Sequence, residues 1–134
     1  MPKLSFLQKC AIALMLAFAA YFVFSMMTGH GAQSSDVMSL RNAKKLCTAC
    51  RQYASNHQGN FPPSLDALFP DYLTDRSMLA SPLMPGEPAG YTYTAGLKDT
   101  GPVNAVVIED KFAPLKHHRI VAYVDGSARI LDTP

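Results

Sequence analysis

The chain has no tryptophan, only three cysteines and few charges, which make up 16% of its 134 residues. It also lacks the sequence forms on which common enzyme chemistry rests. No serine stands in a nucleophile-elbow pattern, no glycine-rich phosphate loop follows a predicted strand, and no pair of carboxylates stands out. An enzyme is therefore the least favoured class, and no cofactor, metal ion or small-molecule substrate is expected. An excess of one sign of charge is missing as well. Of the 12 Lys and Arg, only Lys3 and Lys9 lie before Gly31, and the ten beyond it are cancelled by ten Asp and Glu. The net charge of +2 thus belongs to the N-terminus, and no nucleic-acid-binding face is implied.

What is present is a long apolar run. Residues 10–27 carry no charge, and only the hydroxyls of Tyr21 and Ser25 interrupt them. As a helix these 18 residues span roughly 27 Å, close to the ~30 Å hydrocarbon core of a bilayer. Lys3 and Lys9 precede the run, and the first Lys or Arg after it is Arg41. That bias keeps the N-terminus cytoplasmic and sends the remainder outward. The expected organisation is a cytoplasmic N-terminus over residues 1–9, an uncleaved transmembrane signal anchor over 10–28, a hinge over 29–36 and an exported domain over 37–134. Two alternatives stay open: a signal peptide cut before Ala32, for which Gly29 and Gly31 are suitably small, and a buried core helix. The run exceeds the ~15 apolar residues of a cleaved signal, which favours the anchor. Cys10 precedes the run instead of following it and is misplaced for lipidation.

After the run, Ser34 or Ser35 is the natural cap of a new helix. The apolar residues Val37, Leu40, Ala43, Leu46, Cys47, Cys50, Tyr53 and Ala54 recur every three or four positions, while Arg41, Lys44, Lys45, Arg51 and Gln52 fall on other faces. This spacing predicts an amphipathic helix of about five turns, ending among residues 56–59, where Asn-His-Gln-Gly supplies left-handed backbone. Phe61-Pro62-Pro63 forces an extended segment, and residues 64–73 predict a short helix or helical turn packed on the long one, limited by Pro70. Proline and glycine steps between 74 and 102 exclude any long element, leaving Tyr91-Thr92-Tyr93-Thr94 as a short strand. Residues 103–109 and 119–124 are rich in β-branched side chains and read as strands. Asp125-Gly126, between residues 121–124 and 127–131, predicts a hairpin closed by a two-residue type I′ loop. The expected fold class is α+β: a long N-terminal helix, transmembrane then amphipathic, packed on a three- or four-stranded antiparallel sheet.

In that order the parts resemble the type IV pilin-like proteins, in particular the pseudopilins of type II secretion and the prepilin-type proteins of planctomycete and verrucomicrobial bacteria. The match runs over about residues 40–132. Residues 40–68, with the turn Asn56-His57-Gln58-Gly59 and the following Phe61-Pro62, are similar to that family's helix, glycine turn and lead into a second helix. Residues 119–131 look like its closing hairpin, in which a histidine upstream of an Asp-Gly turn is a usual mark; His117 and His118 are the candidates here, with Asp125 and Gly126. Where the family carries a glycine, Phe-Thr-Leu and then a glutamate for the prepilin peptidase, this chain has Phe6-Leu7-Gln8-Lys9-Cys10-Ala11. The resemblance therefore implies a pilin-like domain on an uncleaved anchor. It would be a non-enzymatic structural or interaction protein of the bacterial cytoplasmic membrane, its C-terminal domain periplasmic and its associations those of secretion or envelope components. Its partners would be membrane lipid and other proteins, met through the N-terminal helix, where Ala11, Ala13, Ala17, Ala19 and Ala20 permit close approach.

Four groups of residues could carry chemistry or binding. Cys47-Thr-Ala-Cys50 has the spacing of a thiol-disulfide pair, and Lys44, Lys45 and Arg51 would favour thiolate. Both cysteines also fall on the apolar stripe of the predicted helix, so the readings are buried structural cysteines, paired or not, an anchored periplasmic thiol protein, or half of a metal site. His117-His118 could meet zinc with Glu109, Asp110 or the cysteines, but adjacent residues on an extended segment point apart, which favours loop histidines, one bonded to the hairpin. Asp125 and Gly126 are explained by turn chemistry without calcium. Tyr91 and Tyr93 are the one feature that suggests a substrate-binding module, against ordinary sheet packing.

Overall fold

The computed structural model describes residues 5–28 and 34–134, with side chains over 5–24 and 34–134. Lys3, Gly29, Gly31, Ala32 and the side chain of Ser25, on which parts of the topology and cleavage arguments rest, lie outside the described residues. The chain divides into two compact units, Met1–Ala32 and Gln33–Pro134.

Among the described residues, the first unit holds one helix, α1 (Phe6–Thr28). It begins four residues earlier than the expected anchor because Ser5 and Gln8 form a capping box: Gln8 N–H donates to Ser5 Oγ at 3.3 Å and Ser5 N–H to Gln8 Oε1 at 2.9 Å. Lys9, assigned to the cytoplasmic tail by sequence, is inside the helix. The segment Phe6–Phe24 is long and apolar enough to cross a membrane, and its large side chains, Phe6, Leu14, Phe18 and Phe24 among them, are exposed. No face is preferentially polar, so the helix has no amphipathic stripe to lay on a core.

The second unit opens with α2 (Ser35–Asn56). Ser34 is its cap, its Oγ accepting from Val37 N–H at 3.4 Å, and Asp36 in the first turn complements the helix dipole. The expected hinge over 29–36 is therefore shortened at its end, since Ser35 and Asp36 are helical. At the far end Gln58 (φ 58°) and Gly59 (φ 79°) are left-handed, and Gly59 N–H returns to Ala54 O at 2.8 Å, closing the helix as its sequence predicts. The buried stripe is Ser39, Ala43, Leu46, Cys47, Ala49, Cys50 and Ala54. Most of these are small, which lets the helix axis approach the sheet.

The sheet consists of β1 (Tyr91–Tyr93), β2 (Val106–Asp110), β3 (His118–Tyr123) and β4 (Ala128–Asp132), antiparallel throughout and adjacent in chain order. The α+β class and the four-stranded antiparallel sheet follow the sequence reading. Helix α2 packs on β3, β2 and β4. Leu46, Val107, Ile108, Ala122 and Val124 form the centre of the core, with Phe61, Leu68 and Tyr91 closing its edges.

Of the short helix or helical turn expected over 64–73, the structure has the turn: a 3-10 turn, Leu65–Leu68, packed on α2; Phe69 is extended (φ −107°, ψ 140°), as a residue before proline must be. Two expectations are corrected. The strand predicted from 103 starts at Val106 because residues 102–105 form a turn, Ala105 N–H donating to Pro102 O at 2.9 Å. The hairpin loop has three residues instead of two. Ala122 pairs with Ala128, Tyr123 N–H donates to Ser127 O, and Gly126 N–H donates to Tyr123 O. Only Gly126 is left-handed (φ 86°), the arrangement of a type I turn followed by a bulge. Val124 sets this geometry: its side chain is buried in the core and its N–H donates to Ala105 O at 3.0 Å, so it belongs to the loop rather than to the β3–β4 ladder.

Candidate functional site

The two helical cysteines sit three to four turns into α2, on its inward stripe. Both are fully buried and neither is disulfide-bonded. Cys47 Sγ donates to Tyr123 O at 3.0 Å, tying the helix to the end of β3. Burial pushes the Cys47 thiol up to about 11, against the opposing pull of the Arg51 guanidinium. Burial and then the neighbouring Cys47 push the Cys50 thiol higher still. Tyr93 closes the far side; burial raises its phenol and its OH donates to Pro62 O at 2.6 Å. A thiol-disulfide exchanger needs an accessible, low-pKa thiolate, and this geometry provides neutral, shielded thiols. Tyr93 is committed to Pro62 and Tyr91 is buried, so the pair offers no ligand platform.

His118 begins β3 and pairs with Asp132 of β4, at the opposite end of that strand from Asp125 and Gly126, and His117 O accepts from Thr133 N–H at 3.1 Å, so the histidines meet the hairpin through their backbone and away from its turn. His118 Nδ1 faces Lys116 O at 3.1 Å. Its Nε2 is buried without a hydrogen-bond partner, 3.4 Å from Asp36 Oδ1 on the first turn of α2. Lys116 Nζ approaches the same carboxylate at 3.4 Å. His117 is left-handed (φ 61°) and ends the 3-10 turn Ala113–Lys116, which directs the two histidines apart. Glu109 is engaged by Arg119 through two bonds of 2.6 and 2.8 Å. Among the described residues no three His, Cys, Asp or Glu side chains converge as a metal-ligand set.

The most heavily bonded polar group in the interior is one that sequence reasoning considered only as a metal ligand. Asp110, completely buried, ends β2. Its Oδ2 accepts from the hydroxyls of Ser39 on α2 and of Ser81, the latter at 2.5 Å. Its Oδ1 accepts from Phe112 N–H at 2.7 Å and Ala113 N–H at 3.2 Å. Tyr91 OH, 3.0 Å from Ser39 Oγ, completes the cluster; burial pushes this phenol up to about 12, partly offset by its bond to Ser39. Four donors satisfy the carboxyl, as a buried acid requires. The cluster is sealed from solvent and joins α2, β1, β2 and the loop before β1. The sequence analysis did not find this cluster: Asp110 ahead of Phe112-Ala113-Pro114 carries an Asx-turn signal that could have marked it, whereas nothing near Ser39 or Ser81 announces their shared partner.

At the hairpin, Asp125 Oδ1 accepts from Ser127 N–H and Oγ at 2.8 and 2.6 Å, which holds its carboxyl below the usual carboxylate range. Arg51 of α2 donates to Asp125 O. Asp125 and Gly126 are thus occupied by turn and helix contacts. Near the end of α2, Tyr53 and His57 stack in parallel with centroids 3.7 Å apart, and Tyr72 tilts against Tyr53.

No protein-family model, curated protein or solved structure matches this chain.

Proposed function

We propose that the chain is a non-enzymatic, pilin-like or pseudopilin-like structural or interaction protein, held in the bacterial cytoplasmic membrane by α1 with its C-terminal domain on the periplasmic side, where it associates with secretion or envelope components. The observation that carries this reading is the contrast between two successive helices. Exposed apolar side chains surround α1, the pattern of a helix solvated by lipid. The stripe of α2 is buried against an antiparallel sheet. An apolar helix, an amphipathic helix and a closing hairpin, in that order, are the parts of the resemblance set out above. Cys47, Asp110 and Asp125, the chemically capable groups of the C-terminal unit, serve its own turns and interior, which supports a scaffold more than a catalyst. The thiol-disulfide alternative draws no support from Cys47 and Cys50, whose sulfur atoms are buried and protonated.

The test is carbonate extraction of membranes containing the native protein, followed by its intact mass and N-terminal residue. A carbonate-resistant, full-length chain is expected. A chain starting near Ala32 would replace the anchor with a cleaved signal, and a chain released by carbonate would overturn the proposal. Ala13 and Ala17 lie one turn apart, so Ala13→Leu with Ala17→Leu should abolish crosslinking to partner helices in the membrane; unaltered crosslinks would remove α1 as the partner interface.

A further inference from the structure

The charges of the C-terminal unit balance overall, yet α2 carries four Lys and Arg against one acid, Asp36. Asp36 is approached by Lys116 and His118, and Arg51 is bound to the Asp125 carbonyl. Arg41, Lys44 and Lys45 are left, all exposed. They follow one another at helical spacing and line one shallow groove with Thr48, Gln52 and Tyr72, in which no carboxylate takes part. Among the described residues the ion pairs are those of Arg76, Lys116, His118 and Arg119, so none of the three cations has a partner within ion-pair distance. Asp75 feels the charge of Lys45, but its carboxyl is held down chiefly by Ser77.

We infer that the Arg41–Lys44–Lys45 face of α2 binds the anionic phospholipid headgroups of the bilayer in which the chain is anchored. This rests on the membrane-anchored reading above. Two features choose headgroups over another anion. The three cations fall within the first ~15 Å of α2, the end connected to the apolar helix, so the tether keeps headgroups at high effective concentration. Unpaired, exposed Lys and Arg attract an anionic surface additively and only within a Debye length, which suits residues that follow the anchor within a short stretch of chain. Half-buried Tyr72 beside them is an amphipathic ring of the kind enriched at bilayer interfaces.

The test uses the full-length protein in lipid nanodiscs of phosphatidylcholine alone or with added phosphatidylglycerol, labelled with a water-soluble amine-reactive ester and read by mass spectrometry. Relative to the exposed Lys98, labelling of Lys44 and Lys45 should slow by roughly threefold or more in the anionic discs, and should recover in about 1 M salt, where the Debye length is ~3 Å. Arg41→Glu should weaken the protection of Lys44. Discs that load with protein but label equally in both lipids overturn this inference alone, as does protection that Arg41→Glu leaves intact. Protection by free phosphate in phosphatidylcholine discs would assign the face to a soluble anion and overturn the lipid assignment. Protein that fails to enter either disc overturns this inference together with the anchor.

Discussion

Ser39 on α2 and Asp110 at the end of β2 are 71 residues apart in the chain and share a hydrogen bond in the interior. Around this bond Ser81, Tyr91 and two backbone N–H groups converge, so four segments distant in sequence depend on one carboxyl. The low-dielectric interior strengthens each of these bonds and makes the loss of any partner costly.

Removing Asp110 orphans four donors at once, whereas removing either hydroxyl leaves the carboxyl with three. Asp110→Ala is expected to cost about 3 kcal/mol or more, and Ser39→Ala and Ser81→Ala about 1–2 kcal/mol each. Urea unfolding of the detergent-solubilised protein, followed by tyrosine fluorescence, measures this. An Asp110→Ala midpoint equal to wild type would show that the cluster does not hold the unit together.

The raised Cys47 thiol predicts how stability depends on alkaline pH. Its folded value of about 11 lies above the ordinary thiol value of ~8.5. The protonated folded form is favoured, so the contribution is fully present below the ordinary value and is lost as pH rises through about 11. Tyr91, raised to about 12, extends the loss further. Stability should be level near neutrality and fall above about pH 9. Cys47→Ala should flatten that fall, by an amount on the order of 3 kcal/mol at pH 11. Maleimide at pH 8 should leave Cys47 and Cys50 unmodified until urea is added; rapid native labelling would restore the thiol-exchange reading.

The elements governed by local periodicity were legible in the sequence, and those governed by distant partners were not. The α2 boundaries followed from Ser34, the three-to-four spacing and the Gln58-Gly59 turn, all within a few residues of the effects they cause. The Asp125-Gly126 turn was found, but its length was misread, because the burial of Val124 beneath α2 chooses a three-residue loop and that burial is a tertiary fact. His118 stands in the hairpin upstream of Asp125-Gly126, where it pairs with Asp132, but its approach to Asp36 on α2 is a tertiary fact that no local spacing records. The Asp110 cluster needed Ser39 and Ser81 to be brought together by folding, and no spacing records that.

Gly90 tests the same cluster from its backbone side. A Cβ at this position would stand 2.1 Å from Ser81 N and 2.8 Å from Ser81 Cα, backbone atoms that cannot swing aside. Gly90 N–H also donates to Leu79 O at 2.7 Å, so the two segments are fixed together. Gly90→Ala is expected to cost about 1–3 kcal/mol and to displace Ser81 from Asp110. Gly90→Ala and Ser81→Ala should therefore combine to less than the sum of their separate effects, read from the same urea midpoints; full additivity would place the strain elsewhere.

For α1 the decisive quantity is the cost of a charge at its centre. Leu16 is exposed on a helix whose other large side chains, through Phe24, are exposed too, so the effect of changing it comes from the surrounding medium. In a bilayer Leu16→Arg should raise the insertion free energy by about 3–4 kcal/mol, combining the favourable leucine value with the penalty for arginine. The fraction of protein resistant to carbonate extraction should then drop steeply, while Leu16→Ala should change it little. The fold of the C-terminal unit, followed through the urea midpoint, should be unaffected by either substitution. If α1 were instead a helix packed on protein, Leu16→Arg and Leu16→Ala would both shift the unfolding midpoint, and membrane retention would not separate them.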